Sequence, residues 1–321
     1  MRRPMKDNLF SESHPALLFF YFTLVISTTM LFAHPVIIGI SFLAAFSYRL
    51  CFEEKRSFFR YQILFMVPIW LLVVLFNAAF NHYGITPLYY LKTGAITLES
   101  IVYGMVLGAL LWTSILWFAN VNLIFTTDKF IYLFGRIFPS LGLFMSMVFR
   151  FVPRFRERWQ QIREGQACLG KDIHEQKFFG KVHCIISEIS ILITWGLESG
   201  IAAVDSMHSK GYGVGKRTFY HIYSWHRADR RILTVGLFLY TGSIAGLNSG
   251  VGKSMYDPWI HLGGLPLNPK SFFAYLFWFF FCFYPVLISG TGAWIYRRQE
   301  KRMEKYLPFT KYSFIHKQQK S

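Results

Sequence analysis

The long apolar runs of this sequence contain almost no ionisable residues. Proton- and ion-coupled transporters carry such residues near the bilayer midplane, so their scarcity argues against a stand-alone secondary transporter. The phosphate-loop spacing GxxxxGK[ST] is absent, which excludes ATP hydrolysis by that route. The stretch 212–218 is Gly-rich and basic without that spacing, and reads as a flexible connection carrying lipid-facing charge. There is no HExxH. His14, His34 and His82 fall in turns or loops and His174 and His183 in a polar linker, which suits satisfied turn histidines better than a metal site. Cys51, Cys168, Cys184 and Cys282 are scattered with no CxxC, so neither a disulfide framework nor a zinc site is implied. No catalytic constellation stands out.

What the sequence does have is apolar length. Of its 321 residues 53% are hydrophobic and 19% aromatic, the composition of an integral membrane protein. Its net charge of +17 needs no nucleic acid, because basic residues of membrane proteins gather at the cytoplasmic boundary. Arg2, Arg3 and Lys6 precede an apolar run with no small-residue cleavage site, which reads as a retained first span.

Six spans are expected, at about residues 16–33, 35–50, 61–80, 101–124, 232–247 and 271–296, since about 20 residues cross the hydrocarbon core. His14-Pro15 and His34-Pro35 open the first two. Pro68 lies inside the third, where membrane helices tolerate it. Gly104 and Gly108 on the fourth permit close helix approach, and packing within the protein is the simpler use of them. Of 34 Lys and Arg, only Lys92, Lys253 and Lys270 fall in loops read as external. That asymmetry places both termini in the cytoplasm of a multi-pass plasma-membrane protein. The fold class is therefore all-α and polytopic, organised as residues 1–127 (four spans), 128–218 (a cytoplasmic or interfacial region) and 219–321 (the last spans and a basic tail).

The chain is organised around residues 149–218. Residues 128–149 are apolar but interrupted by Arg136 and Pro139, and read as a bent, partly embedded helix. Phe151, Phe155, Trp159, Ile162, Gln166 and Leu169 then share one face of a helix over about 149–169. Arg150, Arg154 and Arg158 fall mainly on its other side, and Pro153 bends rather than ends it. A second helix over about 185–210 carries the stripe Ile186, Ile189, Ile193, Leu197, Ile201 and Val204, with Glu198 and Asp205 on another face. Glu188, Glu198 and Asp205 would each be costly in lipid, which argues against a span. Gly170 and Gly211 close the two helices, because glycine has no Cβ to clash in the left-handed C-terminal position. Such basic amphipathic helices most often lie on anionic lipid. Docking of a partner protein is one alternative, and a nucleic-acid or other role is the remaining one.

His14-Pro15, the run from Phe80 through Asn81-His82-Tyr83 to Gly84, the block 147–154 and the block 205–218 resemble the T component of energy-coupling factor (ECF) importers, the EcfT/CbiQ family. The resemblance covers about residues 14–231. It implies a non-catalytic subunit that binds no cofactor of its own. It would hold two cytoplasmic ABC-type ATPases (EcfA-like), which bind ATP, and a small membrane S component that binds a vitamin or metal ion such as cobalt. Two coupling helices in that family each end in Xaa-Arg-Gly, docked in an ATPase groove. Cys168-Leu169-Gly170 and Ser209-Lys210-Gly211 stand at those positions. Neither keeps the Arg: Lys210 retains charge without the planar fork that matches a carboxylate, and Leu169 has none. Apolar docking at the first tip and an unlike pair of ATPases are expected. The readings from other classes are a membrane-embedded enzyme acting on lipid and a non-transporting membrane scaffold.

Overall fold

The computed structural model describes residues 9–52, 55–82, 84–91, 94–170, 178–215, 223–256, 259–264 and 268–306. The helices α1 (Leu9–Glu12), α2 (Pro15–Leu31), α3 (Pro35–Phe52), α4 (Lys55–Tyr61), α5 (Val67–Phe80), α6 (Leu98–Ile124), α7 (Thr127–Ile137), α8 (Pro139–Cys168), α9 (Phe178–Ser209), α10 (Arg227–Gly246) and α11 (Pro269–Tyr306) make up most of them. Two antiparallel hairpins, β1 (Pro87–Leu91) with β2 (Gly94–Thr97) and β3 (Ser254–Met255) with β4 (His261–Leu262), are the only sheets among these residues. The protein is an all-α polytopic membrane protein. Its chain forms two compact units, residues 1–126 with 224–321, and residues 127–223.

In the first unit, the two His-Pro pairs begin helices for a physical reason. Proline presets φ at the first helical position, where its missing N–H costs nothing. The preceding histidine caps the free backbone donors. His14 Nδ1 accepts from Ala16 N at 3.2 Å and His34 Nδ1 accepts from Val36 N at 3.3 Å. With Nδ1 accepting, the His34 proton sits on Nε2 and points at the Gly263 carbonyl, 3.0 Å away. His34 is fully buried. That burial pushes its imidazole below its ordinary range, more than the Gly263 bond raises it. His14 stacks on Trp225 at 4.2 Å, and its backbone N–H donates to the buried Asp229 carboxyl at 3.3 Å, which also accepts from His226 N at 3.0 Å. One carboxyl group thus caps the entrances of both α2 and α10.

Pro68 removes a backbone donor and crowds the preceding turn. The chain takes up the misfit as a π-helical turn, Gln62–Met66, between α4 and α5. That turn aims Gln62 inward, where its Oε1 accepts from the Trp112 indole at 2.7 Å. The GxxxG glycines of α6 pack against α5: a Cβ on Gly104 would lie 3.0 Å from Asn77, and one on Gly108 would lie 2.6 Å from the Trp70 ring. The core is aromatic, with Phe10, Tyr48, Trp117, Trp278 and Phe281 buried. Three neutral side chains donate within it: Trp117 to Ser41 at 2.8 Å, Asn120 to the Ala45 carbonyl at 3.0 Å and Trp278 to the Ile37 carbonyl at 3.2 Å.

Five helices of the described residues are long and apolar enough to cross a membrane: Phe58–Phe80, Leu98–Ile124, Phe179–Ser209, Arg227–Val251 and Pro269–Gly290. Pro15–Leu31 and Pro35–Leu50 are apolar but shorter. α9 is thus span-like as well as amphipathic. Of the three acidic groups that count against it, Glu188 is fully buried by protein, while Glu198 and Asp205 are exposed.

In the second unit the chain breaks at Phe138, which is extended (φ −125°, ψ 92°), and restarts with Pro139 at the first turn of α8. α8 therefore starts at Pro139 rather than near Phe149, and it runs through Pro153 without interruption. Gly142 lies directly against the Gly135 backbone, where no Cβ fits. That contact folds α7 back on the start of α8.

Candidate partner-coupling site

Each long helix of the second unit ends in an exposed tip. At the end of α9 the Gly211 N–H donates to the His208 carbonyl at 2.9 Å and the Tyr212 N–H to the Met207 carbonyl at 3.0 Å. This paired closure of the last turn requires a left-handed residue, and Gly211 supplies it with φ +84°. Lys210 and Ser209 are exposed just before it. α8 closes in the same way as far as it is described: the Gly170 N–H donates to the Ala167 carbonyl at 3.0 Å, with φ +74°. Leu169 is 74% exposed, a large apolar side chain presented at a helix end, and Cys168 beside it is exposed too.

Behind the tips the helices cross. Trp159 Nε1 donates to Glu188 Oε2 at 2.7 Å, and Arg163 Nε lies 3.9 Å from the same oxygen. On the apolar side of the crossing, Phe155 meets Trp195 edge-on at 5.6 Å and rests on Gly196, where a Cβ would come within 2.9 Å of its ring. Arg158 is half-buried with its guanidinium 5.6 Å from the Trp195 ring centroid. Residues rising in number on α8 meet residues falling in number on α9, so the helices are antiparallel here.

Of the expected supporting residues, the structure brings only Arg158 to this crossing. Arg150 is exposed with its guanidinium 6.0 Å from the Phe151 ring, and Arg154 is exposed. Glu198 is exposed, and Asp205 borders an open groove of about 360 Å³ with Gly196, Leu197, Gly200, Ile201 and Val204. Of the other residues that hold the crossing, Trp159 lies on the expected face of α8, while Arg163, Trp195 and Gly196 carry no local signature of that role. Glu188 is the one with a readable oddity, a carboxyl group inside an apolar run.

The stripe on α9 behaves differently from the stripe on α8. Phe151, Phe155 and Ile162 are half-buried. Ile186, Ile189, Ile193, Leu197, Ile201 and Val204 are all exposed, between 43% and 66%. The row that packs on α8 is Glu188, Trp195 and Gly196 instead. Among the described residues no three His, Cys, Asp or Glu side chains come together as a metal site would require.

No family model matches the chain. It is similar to an energy-coupling factor transporter transmembrane protein EcfT of Streptococcus equi subsp. equi (strain 4047), 29% identical over 106 residues. That match takes in 32% of this chain and spans 39% of the relative's own length. It supports a distant relationship to the transmembrane components of ECF transporters.

Proposed function

We propose that this chain is the membrane-embedded coupling subunit of an ECF-type importer. It catalyses nothing itself. It passes the closing motion of two cytoplasmic ATPases, which bind the ATP, to a small membrane protein that binds the cargo, a vitamin or a metal ion. It is a multi-pass plasma-membrane protein with both termini in the cytoplasm. Residues 128–218 hold the coupling helices between its groups of spans.

The observation that supports this reading best is the antiparallel crossing of α8 and α9 with a Gly-closed tip at the far end of each. At a rise of 1.5 Å per residue, Leu169 stands about 15 Å beyond Trp159 and Lys210 about 20 Å beyond Gly196, in opposite directions. Two tips so placed can engage two subunits and cannot share one groove. The tips also differ in chemistry. Lys210 fits an acidic groove and Leu169 an apolar one, so the two ATPases present unlike surfaces and are two different proteins.

The test is to purify full-length variants from their native membrane and weigh the ATPases that come along. Lys210→Glu should lose one ATPase and keep the other, and Leu169→Asp should lose the opposite one. Retention of both by both variants contradicts the reading.

A further inference from the structure

The hairpin β1–β2 joins the span that ends at Phe80 to the span that begins at Leu98. Its composition is unusual for a connection between spans. From Phe80 to Leu98 the sequence holds a single Lys, Arg, Asp or Glu, which is Lys92, and Lys92 falls between the strands. Ile85, Leu88, Tyr89 and Tyr90 are all exposed. Successive strand residues point to opposite faces. Tyr89 and Tyr90, 67% and 75% exposed, therefore put one phenol ring on each face of the hairpin. Tyr89 pairs with Ile96 and Tyr90 with Ala95, so β2 adds no charge to either face there.

The base of the hairpin is tied to the end of α6. The Leu98 N–H donates to the Thr86 carbonyl at 3.1 Å, and the Thr86 hydroxyl donates to Glu99 at 2.7 Å. Glu99 is buried in the first turn of α6, and Thr97, the last residue of β2, caps that helix. β2 also touches α5. The hairpin therefore starts at the level where two spans leave the bilayer.

Two properties then decide where it lies. Water suits it poorly, because an isolated hairpin is marginally stable there and uncharged apolar strand edges invite pairing with other chains. Hydrocarbon suits it no better. Among the described residues this sheet has only two strands, so each has one edge without a neighbouring strand, and unpaired backbone groups are costly in lipid. The phospholipid headgroup layer supplies both apolar contact and hydrogen-bond partners, which is why tyrosine gathers there.

We propose that β1–β2 is an interfacial anchor lying in the phospholipid headgroup layer, with Tyr89 and Tyr90 as its principal lipid contacts. Bonded to α6 at its base, it fixes the depth of the α5–α6 pair in the bilayer, as aromatic anchors do. The anchor belongs to the first unit and does not depend on what the helix tips engage.

The experiment uses the full-length chain in phospholipid nanodiscs, with a fluorescent amino acid encoded at position 90 and, in a second variant, at position 89. Quenchers are iodide in the water and phospholipids that carry a nitroxide either near the headgroup or at the end of the acyl chain. The same amino acid at the exposed positions 72, in the middle of a span, and 164, on α8, gives the lipid and water references. At 89 and 90 the shallow nitroxide should quench more than the deep one, and iodide less than at 164. Adding Tyr89→Asp to the position-90 variant should raise quenching by iodide. Iodide quenching as free as at 164 places the hairpin in water and overturns the anchor. Stronger quenching by the deep nitroxide, as at 72, overturns it by placing the hairpin in hydrocarbon. Shielding from iodide seen in native membranes but lost in nanodiscs overturns it in favour of a protein partner.

Discussion

At the scale of single residues, a few side chains carry the site. Lys210 presents the only cation of either tip triplet. Truncation to Ala should weaken capture of one ATPase, whereas Arg, with its planar fork, should hold it at least as well. Co-purified ATPase per mole of chain checks both. Gly211 is held at φ +84°, so Gly211→Ala should cost about 1 kcal/mol of local helix-end stability. Faster amide exchange in the last turn of α9 would report it.

His34 gives a pH prediction whose sign follows from its burial. Its folded pKa is depressed, so the folded state binds fewer protons at this site than the unfolded one. Stability is then full above about pH 6.5, the ordinary imidazole value, and is lost as pH falls from there through the depressed value. Thermal unfolding of the detergent-solubilised chain should show that decline. His34→Asn, which can still cap α3, should flatten it.

At the scale of elements, close packing explains what patterns alone leave open. Gly108 faces the Trp70 ring, so Gly108→Leu should force α5 and α6 apart and cost about 1–3 kcal/mol, read as a lowered unfolding temperature. Several element boundaries were legible because their causes are local. His14-Pro15 and His34-Pro35 start helices, and Gly170 and Gly211 end them, through bonds made within a few residues. The start of α8 was misplaced because the amphipathic signal begins near Phe149, while the helix is nucleated by Pro139 in apolar sequence with no periodic contrast. The stripe of α9 was legible as a stripe, but its use was not. Periodicity tells which residues share a face and says nothing of what covers it, and here the face that packs on α8 is the row containing Glu188. The Trp159–Glu188 bond joins residues 29 apart, a relation that only folding reveals.

At the scale of the molecule, the two units of the chain present different surfaces and cores. The first unit has an aromatic core in which Trp117, Asn120 and Trp278 are hydrogen-bonded, and a buried Asp229 that caps two helices. The second unit offers two helix tips of unlike chemistry on a crossed pair, with an apolar face on α9 left open. Its ends suit soluble partners and its open face suits lipid or a membrane partner. The distant relationship to ECF transmembrane components fits that division. The central claim is that this chain works only with ATPases at its tips. The most direct measurement is affinity purification of the tagged full-length chain from its native membrane in mild detergent, with mass spectrometry of what accompanies it. Two different ABC-type ATPases together with a small membrane protein is the predicted result. Recovery of the intact chain with no ATPase, under conditions that leave membrane complexes assembled, would contradict it.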